Sequence, residues 1–445
     1  MSQKKTKMNA LQLTILTAVN MMGSGIIMLP TNLAQVGTMS ILSWLVTALG
    51  SVALAYGFAQ CGIYSRKGGG MGGYSEYAFG KAGSFMANYT YSLSLLVSNV
   101  AIAITAVGYA TVFLGVTLSP INVCIWTIIL LWVTTVLNFG GAQITGRIGS
   151  VTVWGVIIPV VAVSIIGWFW FDGHRYVTSW NPHHYSLFSG IGKSISITLW
   201  AFLGLESASA NMDAVENPEK NVPIAVLGGT LGAAVVYILS TNVIAGIVPN
   251  AHLVESNAPF GLAFATMFNP VVGKVVMALM VISCIGSLLG WQFTIAQVFK
   301  SSATEGYYPK VFTKITKTET PIVGMVILCI VQTLLALMTI SPSLNKQFNT
   351  LVNLAVVTNM IPYLLSMSAI MVMQKIAKVP AKKANISNFV AVIASLYSLY
   401  ALYGSGLEAM TYGSIATFAG WILYGFISYR FDMEKNSALV SNKAS

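Results

Sequence analysis

The sequence predicts an all-α polytopic membrane protein of twelve transmembrane helices, and three observations predict it. First, the 445 residues are 56% hydrophobic and only 8% charged, against about 25% charged residues in soluble domains. Second, the apolar stretches mostly reach the roughly 20 residues that carry a helix across about 30 Å of hydrocarbon. A membrane β-barrel would instead alternate apolar and polar residues in short strands. Third, the basic residues are segregated. With the N-terminus placed in the cytoplasm, all but four of the 23 lysines and arginines fall inside, the exceptions being Arg175, Lys193, Lys274 and Lys346. That bias orients helices and puts both termini inside. It also accounts for the formal charge of +11 as topology, with no need of nucleic acid or another acidic partner.

Met1 to Met8 carry Lys4, Lys5 and Lys7 but no cleavage site, and the apolar run behind them continues as a full span, so no removable signal is expected. Spans 1 to 5 are placed at 10–33, 40–62, 84–114, 121–139 and 149–171. Span 1 contains Asn20-Met21-Met22-Gly23-Ser24-Gly25-Ile26-Ile27-Met28-Leu29-Pro30. Each of those two glycines weakens a helix by about 1 kcal/mol, so the span is expected to break there. The loop after span 2, Arg66-Lys67-Gly68-Gly69-Gly70-Met71-Gly72-Gly73-Tyr74, resembles a phosphate loop. No strand precedes it and no Gly-Lys-Ser/Thr follows, so it reads as a flexible cytoplasmic turn. In span 3, Tyr91 and Asn99 are eight residues apart, near two turns, and are placed on roughly one face.

Span 6, at 190–211, carries the most informative residue of the chain. Glu206 follows Trp200-Ala201-Phe202-Leu203-Gly204-Leu205 in an otherwise uncharged run. A carboxylate at the bilayer centre costs about 2.5–3.5 kcal/mol on insertion scales, so such a residue usually faces a cavity, binds a cation or relays a proton. Gly204 gives span 6 a weak point matching the one in span 1, five spans earlier. Interrupted helices at matching positions of two halves point to inverted repeats. Spans 1–5 and 6–10 would be those repeats, because an odd number of spans forces the second to enter from the opposite side. Close packing of small residues would also use Gly23 and Gly25, but Glu206 in the matching helix favours a cavity.

The remaining spans are placed at 223–247, 271–299, 322–341, 348–374, 386–404 and 409–429. Pro218 and Pro223 end span 6 and open span 7. No linker separates soluble domains. The chain is one transmembrane domain over 1–445: the first repeat in 1–180, the second in 181–380, and spans 11 and 12 with the tail in 381–445.

These residues suit an organic cation. Glu206 supplies charge, and the faces of Trp200 and Trp291 attract a cation without demanding one geometry, although either tryptophan could serve packing alone. Asn99 could bond an amine or a neighbouring helix. Amides freed around Gly23-Ser24-Gly25 can hold a carboxylate. Carboxylate at one end and amides at the other suit a basic amino acid, and a diamine would use the carboxylate end. No metal or cofactor is implied: Cys61, Cys124, Cys284 and Cys329 lack paired spacing, and His174, His183, His184 and His252 fall in outside loops. No nucleophile–base pair suggests an enzyme.

Over essentially its whole length the chain resembles the basic amino acid/polyamine antiporters of the amino acid–polyamine–organocation superfamily, and in particular their putrescine–ornithine branch. The resemblance is carried by the stretch 20–30, by Gly70-Met71-Gly72-Gly73-Tyr74-Ser75-Glu76-Tyr77, by 200–208, and by Glu216-Asn217-Pro218 through Val222-Pro223-Ile224-Ala225. It implies a twelve-helix, five-plus-five inverted-repeat fold of the LeuT type in a bacterial inner membrane, surrounded by lipid and usually homodimeric. It implies sodium-independent exchange of putrescine for ornithine and proton-dependent putrescine uptake. It also implies roles for particular residues: Glu206, Trp200, Trp291, Cys61, Glu76 and Tyr424 as main substrate-recognition residues, with Tyr91, Cys284 and Asp432 as weaker contributors. Asp432 stands where the family pattern has glutamate. Asn99 and the Gly23, Ser24 and Gly25 backbone resemble substrate-contacting positions of arginine–agmatine exchangers. Read from the residues alone, Glu76 is a solvated loop carboxylate. Exchange of lysine for cadaverine or of arginine for agmatine, and proton–amine symport, are the alternative readings.

Overall fold

Helices form where the apolar runs lie, and their ends carry the expected caps. The structure, a computed structural model, describes residues 9–431 except 66, 68, 207–214, 317–319 and 342. Asn9 opens α1 (Ala10–Met21) with a reciprocal capping box to Gln12. Then come α2 (Leu29–Ala34), α3 (Ile41–Tyr64), α4 (Met71–Leu114), α5 (Pro120–Leu137), α6 (Ala142–Thr152), α7 (Trp154–Ile166) and α8 (Gly173–Thr178). The second half holds α9 (Leu187–Trp200), α10 (Pro218–Ile247), α11 (Asn250–Leu253), α12 (Pro259–Met267), α13 (Pro270–Thr304), α14 (Ile322–Met338), α15 (Leu344–Ile376), α16 (Ala381–Gly404) and α17 (Gly406–Ile427). Proline occupies the first turn of α5, α10, α12 and α13, where a missing N–H costs no helical bond.

Among the described residues, eight helical stretches are long and apolar enough to cross a membrane. Large apolar side chains stay exposed along the outer helices, among them Ile125, Leu334, Phe389 and Phe418. Such a surface suits lipid, which lets a helix satisfy its own backbone and expose apolar side chains.

The structure departs from the sequence expectations at several places; span 7, expected from Pro223, opens as α10 at Pro218 and carries Pro223 inside the helix. The helix expected from residue 84 begins at Met71, and residues 71–79 form an arm that turns into the long helix at Gly80 (φ 62°). Glycines allow the arm to fold back closely: a Cβ on Gly72 would come within 2.5 Å of the Asn88 amide, and one on Gly83 would strike Phe79. Span 5 is divided into α6 and α7. Span 6 holds helix only to Trp200, with a short turn at Leu205 and Glu206; the rest of its expected course falls among residues 207–214, outside the described ones.

The first helix stops at Met21, makes one 3-10 turn over Ser24–Ile26, and resumes at Leu29. Its break lies against the end of α9. A Cβ on Gly25 would approach the Ala201 Cα to 3.3 Å, and one on Gly23 the Ser287 Oγ to 2.9 Å. At Gly25 the neighbour is backbone, and at Gly23 it is the Ser287 side chain of α13, so both positions favour glycine by close approach. Broken helices free carbonyls that must find donors in a dry interior. Two fully buried tyrosines supply them: Tyr109 Oη donates to the Ile27 carbonyl at 3.0 Å, and Tyr237 Oη to the Ala201 carbonyl at 3.0 Å. Paired hydroxyls bind α3 to α9: Ser43 to Ser194 and Thr47 to Thr198, both at 2.6 Å.

Candidate functional site

The two breaks and the helices packed against them enclose a cavity of about 40 Å³. Asn20, Met21, Gly23 and Gly25 line it from the first broken segment, and Trp200, Leu203, Gly204 and Glu206 from the second. α4 contributes Tyr91, Ser94, Leu95, Ser98 and Ile102, α13 contributes Trp291, and α15 contributes Asn359. Glu206 is the one charged residue among these, and it is 6% exposed.

Backbone geometry aims the Glu206 carboxylate. α9 ends at Trp200, and Gly204 takes φ +107°, a conformation that L side chains rarely adopt. The turn that results brings the Gly204 N–H onto Glu206 Oε2 at 3.1 Å. Tyr363 Oη of α15 donates to the same oxygen at 2.6 Å, and Tyr91 Oη of α4 donates to Oε1 at 3.3 Å. The carboxylate is thus held by groups from three segments. Opposite Gly204, carbons of the Trp291 ring lie 3.6 Å from where a Cβ would stand. The Trp200 ring meets Phe348 edge-on at 6.4 Å, and among the described residues its Nε1 has no acceptor. One carboxylate, aromatic walls, apolar Met21, Leu95, Ile102 and Leu203, and a few hydroxyls and amides line the cavity, chemistry that suits a short-chain cation.

Of the residues singled out from the sequence, Glu206, Trp200, Trp291, Tyr91, Gly23 and Gly25 come together on this wall. The Ser24 backbone belongs to the same turn, and its side chain lies outside the described residues. Asn99 is fully buried but is not on the wall; Ser98 is. At about 100° per residue, eight residues overshoot two turns by about 80°, whereas seven fall about 20° short. Ser98 therefore shares the face of Tyr91. Cys61 lies on the α15 side of α3, where its Sγ donates to the Ser366 carbonyl at 3.6 Å. Cys284 is buried in α13 away from the lining. Tyr424 packs in a separate aromatic cluster, its ring 5.4 Å from that of Phe85. Asp432 lies outside the described residues.

Glu76 occupies another place again. On the arm of α4, its Oε1 receives Lys67 Nζ at 2.7 Å and Lys81 Nζ at 3.0 Å. Glu305, the cap residue of α13, adjoins this cluster: a Cβ on Gly69 would lie 3.3 Å from its Oε1. Burial pushes the Glu305 carboxyl up, Lys81 pulls it down and Glu76 pushes it up further. Glu76 is therefore part of an ion-pair cluster that ties the loop, the arm and the end of α13 together, not a solvated loop carboxylate.

The sequence reading missed Tyr363 and Asn359. Asn359 in the middle of a long apolar span was a signal of the kind that singled out Asn99. Tyr363 carried no such signal, because only the packing of α15 against Glu206 gives its hydroxyl a partner.

Residues 8–427 match the family model described as amino acid permease. The putrescine transporter PotE of Escherichia coli is 69% identical over 435 residues, covering 98% of this chain and 99% of that protein. The putrescine transporter PotE of Haemophilus influenzae is also 69% identical, with 98% and 100% covered. The cadaverine/lysine antiporter of Escherichia coli is 34% identical over 361 residues, with 79% and 80% covered.

Proposed function

The chain belongs to the amino acid permease family, and from that premise we propose that it is an alternating-access antiporter that exchanges putrescine for ornithine. The observation that carries the proposal is Glu206: one buried carboxylate, held by Tyr91, Tyr363 and Gly204, in a cavity walled by Trp200 and Trp291. An ammonium entering this cavity exchanges water for the carboxylate and the ring faces. The 69% identity to proteins named putrescine transporters, against 34% to a cadaverine/lysine antiporter, favours the four-carbon diamine.

In this reading spans 1–5 and 6–10 are inverted repeats that rock about the two breaks, and spans 11 and 12 lie outside them. Both termini face the cytoplasm of a bacterial inner membrane, as the basic residues suggest. The freed amides near Gly23 and Gly25 receive the ornithine carboxylate, and a diamine leaves them empty. Exchange of a dication for a monocation moves net charge, so membrane potential drives one direction. Proton-dependent putrescine uptake is the second mode of the same site.

Counterflow in proteoliposomes tests this. Vesicles loaded with unlabelled ornithine are expected to take up labelled putrescine fast, and vesicles loaded with lysine or arginine slowly. Fast uptake with lysine inside would move the assignment to the cadaverine/lysine pair. Equal uptake into empty vesicles under an inward proton gradient would make the protein an importer.

A further inference from the structure

Asn359 is 1% exposed and lines the Glu206 cavity, yet among the described residues nothing donates a hydrogen bond to its Oδ1. Buried amides are nearly always satisfied, because stripping water from one without replacing its bonds costs free energy. The Tyr363 hydroxyl lies beside the amide N–H and can accept from it while donating its own proton to Glu206, which leaves the Asn359 Oδ1 as the open position. Asn99 is also buried with an unbonded amide, but it is off the cavity wall. Asn359 thus combines an open amide oxygen with a place in the site. It also lies four residues before Tyr363 on α15, hence on the same helical face, so both residues border the cavity from one helix.

We propose that Asn359 is the second ligand-binding group of the cavity, its Oδ1 accepting from one ammonium of a diamine whose other ammonium is held by Glu206. This rests on the exchange reading above and deepens it. A carboxamide takes an ammonium without adding a second negative charge. The site therefore holds a dication in one direction and a singly charged amino acid in the other. A second carboxylate at this position would favour the dication too strongly for balanced exchange.

The test uses the full chain in lipid nanodiscs, with equilibrium binding of labelled putrescine and competition by ornithine. Asn359→Leu removes both polar atoms at nearly constant volume. Its putrescine affinity is expected to fall at least about tenfold, the scale of one hydrogen bond to a charged group, with a thermal midpoint no lower than that of the unsubstituted protein. Asn359→Asp keeps size and polarity, and it is expected to raise the preference for putrescine over ornithine about tenfold. Putrescine binding by the leucine variant within about twofold of the original, or an unchanged preference in the aspartate variant, overturns the inference. Failure of the unsubstituted protein to bind either amine overturns the exchange reading itself.

Discussion

At the scale of single residues, the site depends on how one carboxylate is held. A hydrogen bond to a charged group contributes about 1.5–3 kcal/mol, and Tyr363 makes the shorter of the two phenol contacts to Glu206, 2.6 Å against 3.3 Å for Tyr91. Tyr363→Phe is therefore expected to weaken amine binding about tenfold or more, and Tyr91→Phe by less. Isotherms of both variants check the order; equal losses would mean that the shorter bond of Tyr363 is worth no more than that of Tyr91. The sequence made Glu206 legible because charge in an apolar run is costly. Tyr363 was not legible, because tyrosine in a span is ordinary until a partner is seen.

Among the elements, the broken helices need donors for the carbonyls they free. Tyr109 and Tyr237 serve the first and second break in the same manner, each fully buried and each donating at 3.0 Å. Leaving a buried carbonyl unsatisfied costs about 1–3 kcal/mol. Tyr109→Phe and Tyr237→Phe are each expected to lower the thermal midpoint in detergent. Neither residue lines the cavity, so amine affinity measured well below that midpoint should change little. A stable variant with lost binding would show instead that these tyrosines set the cavity. The glycines announced the first break, but nothing in the run 21–30 says which side chain satisfies Ile27.

At the scale of the whole molecule, the loop, the arm of α4 and the end of α13 are joined by alternating charge: Lys67, Glu76, Lys81 and Glu305. Burial raises the Glu305 carboxyl above its ordinary range. The folded protein then holds that proton more tightly than the unfolded chain does, so stability falls as pH rises through the window above the ordinary glutamate value. Glu305→Gln removes the penalty. It is expected to raise the thermal midpoint near neutral pH and to leave it unchanged at a pH where the glutamate is protonated in both states. Scans at those two pH values decide this, and an unchanged midpoint near neutrality would count against it.

Composition and charge bias alone determined that this chain is helical, spans a membrane many times and carries one costly carboxylate. Those properties follow from local sums, since hydropathy is counted along a window and the penalty for a buried charge belongs to the residue itself. Only the tertiary structure decided which residues share the cavity. Ser98 replaces Asn99 there because helical phase accumulates in steps of about 100°. Cys61, Glu76 and Tyr424 lie elsewhere because helices pack by the shape of whole faces. Asn359 and Tyr363 join the site from more than 150 residues away, a juxtaposition that depends on how α15 lies against both breaks and that no local pattern encodes.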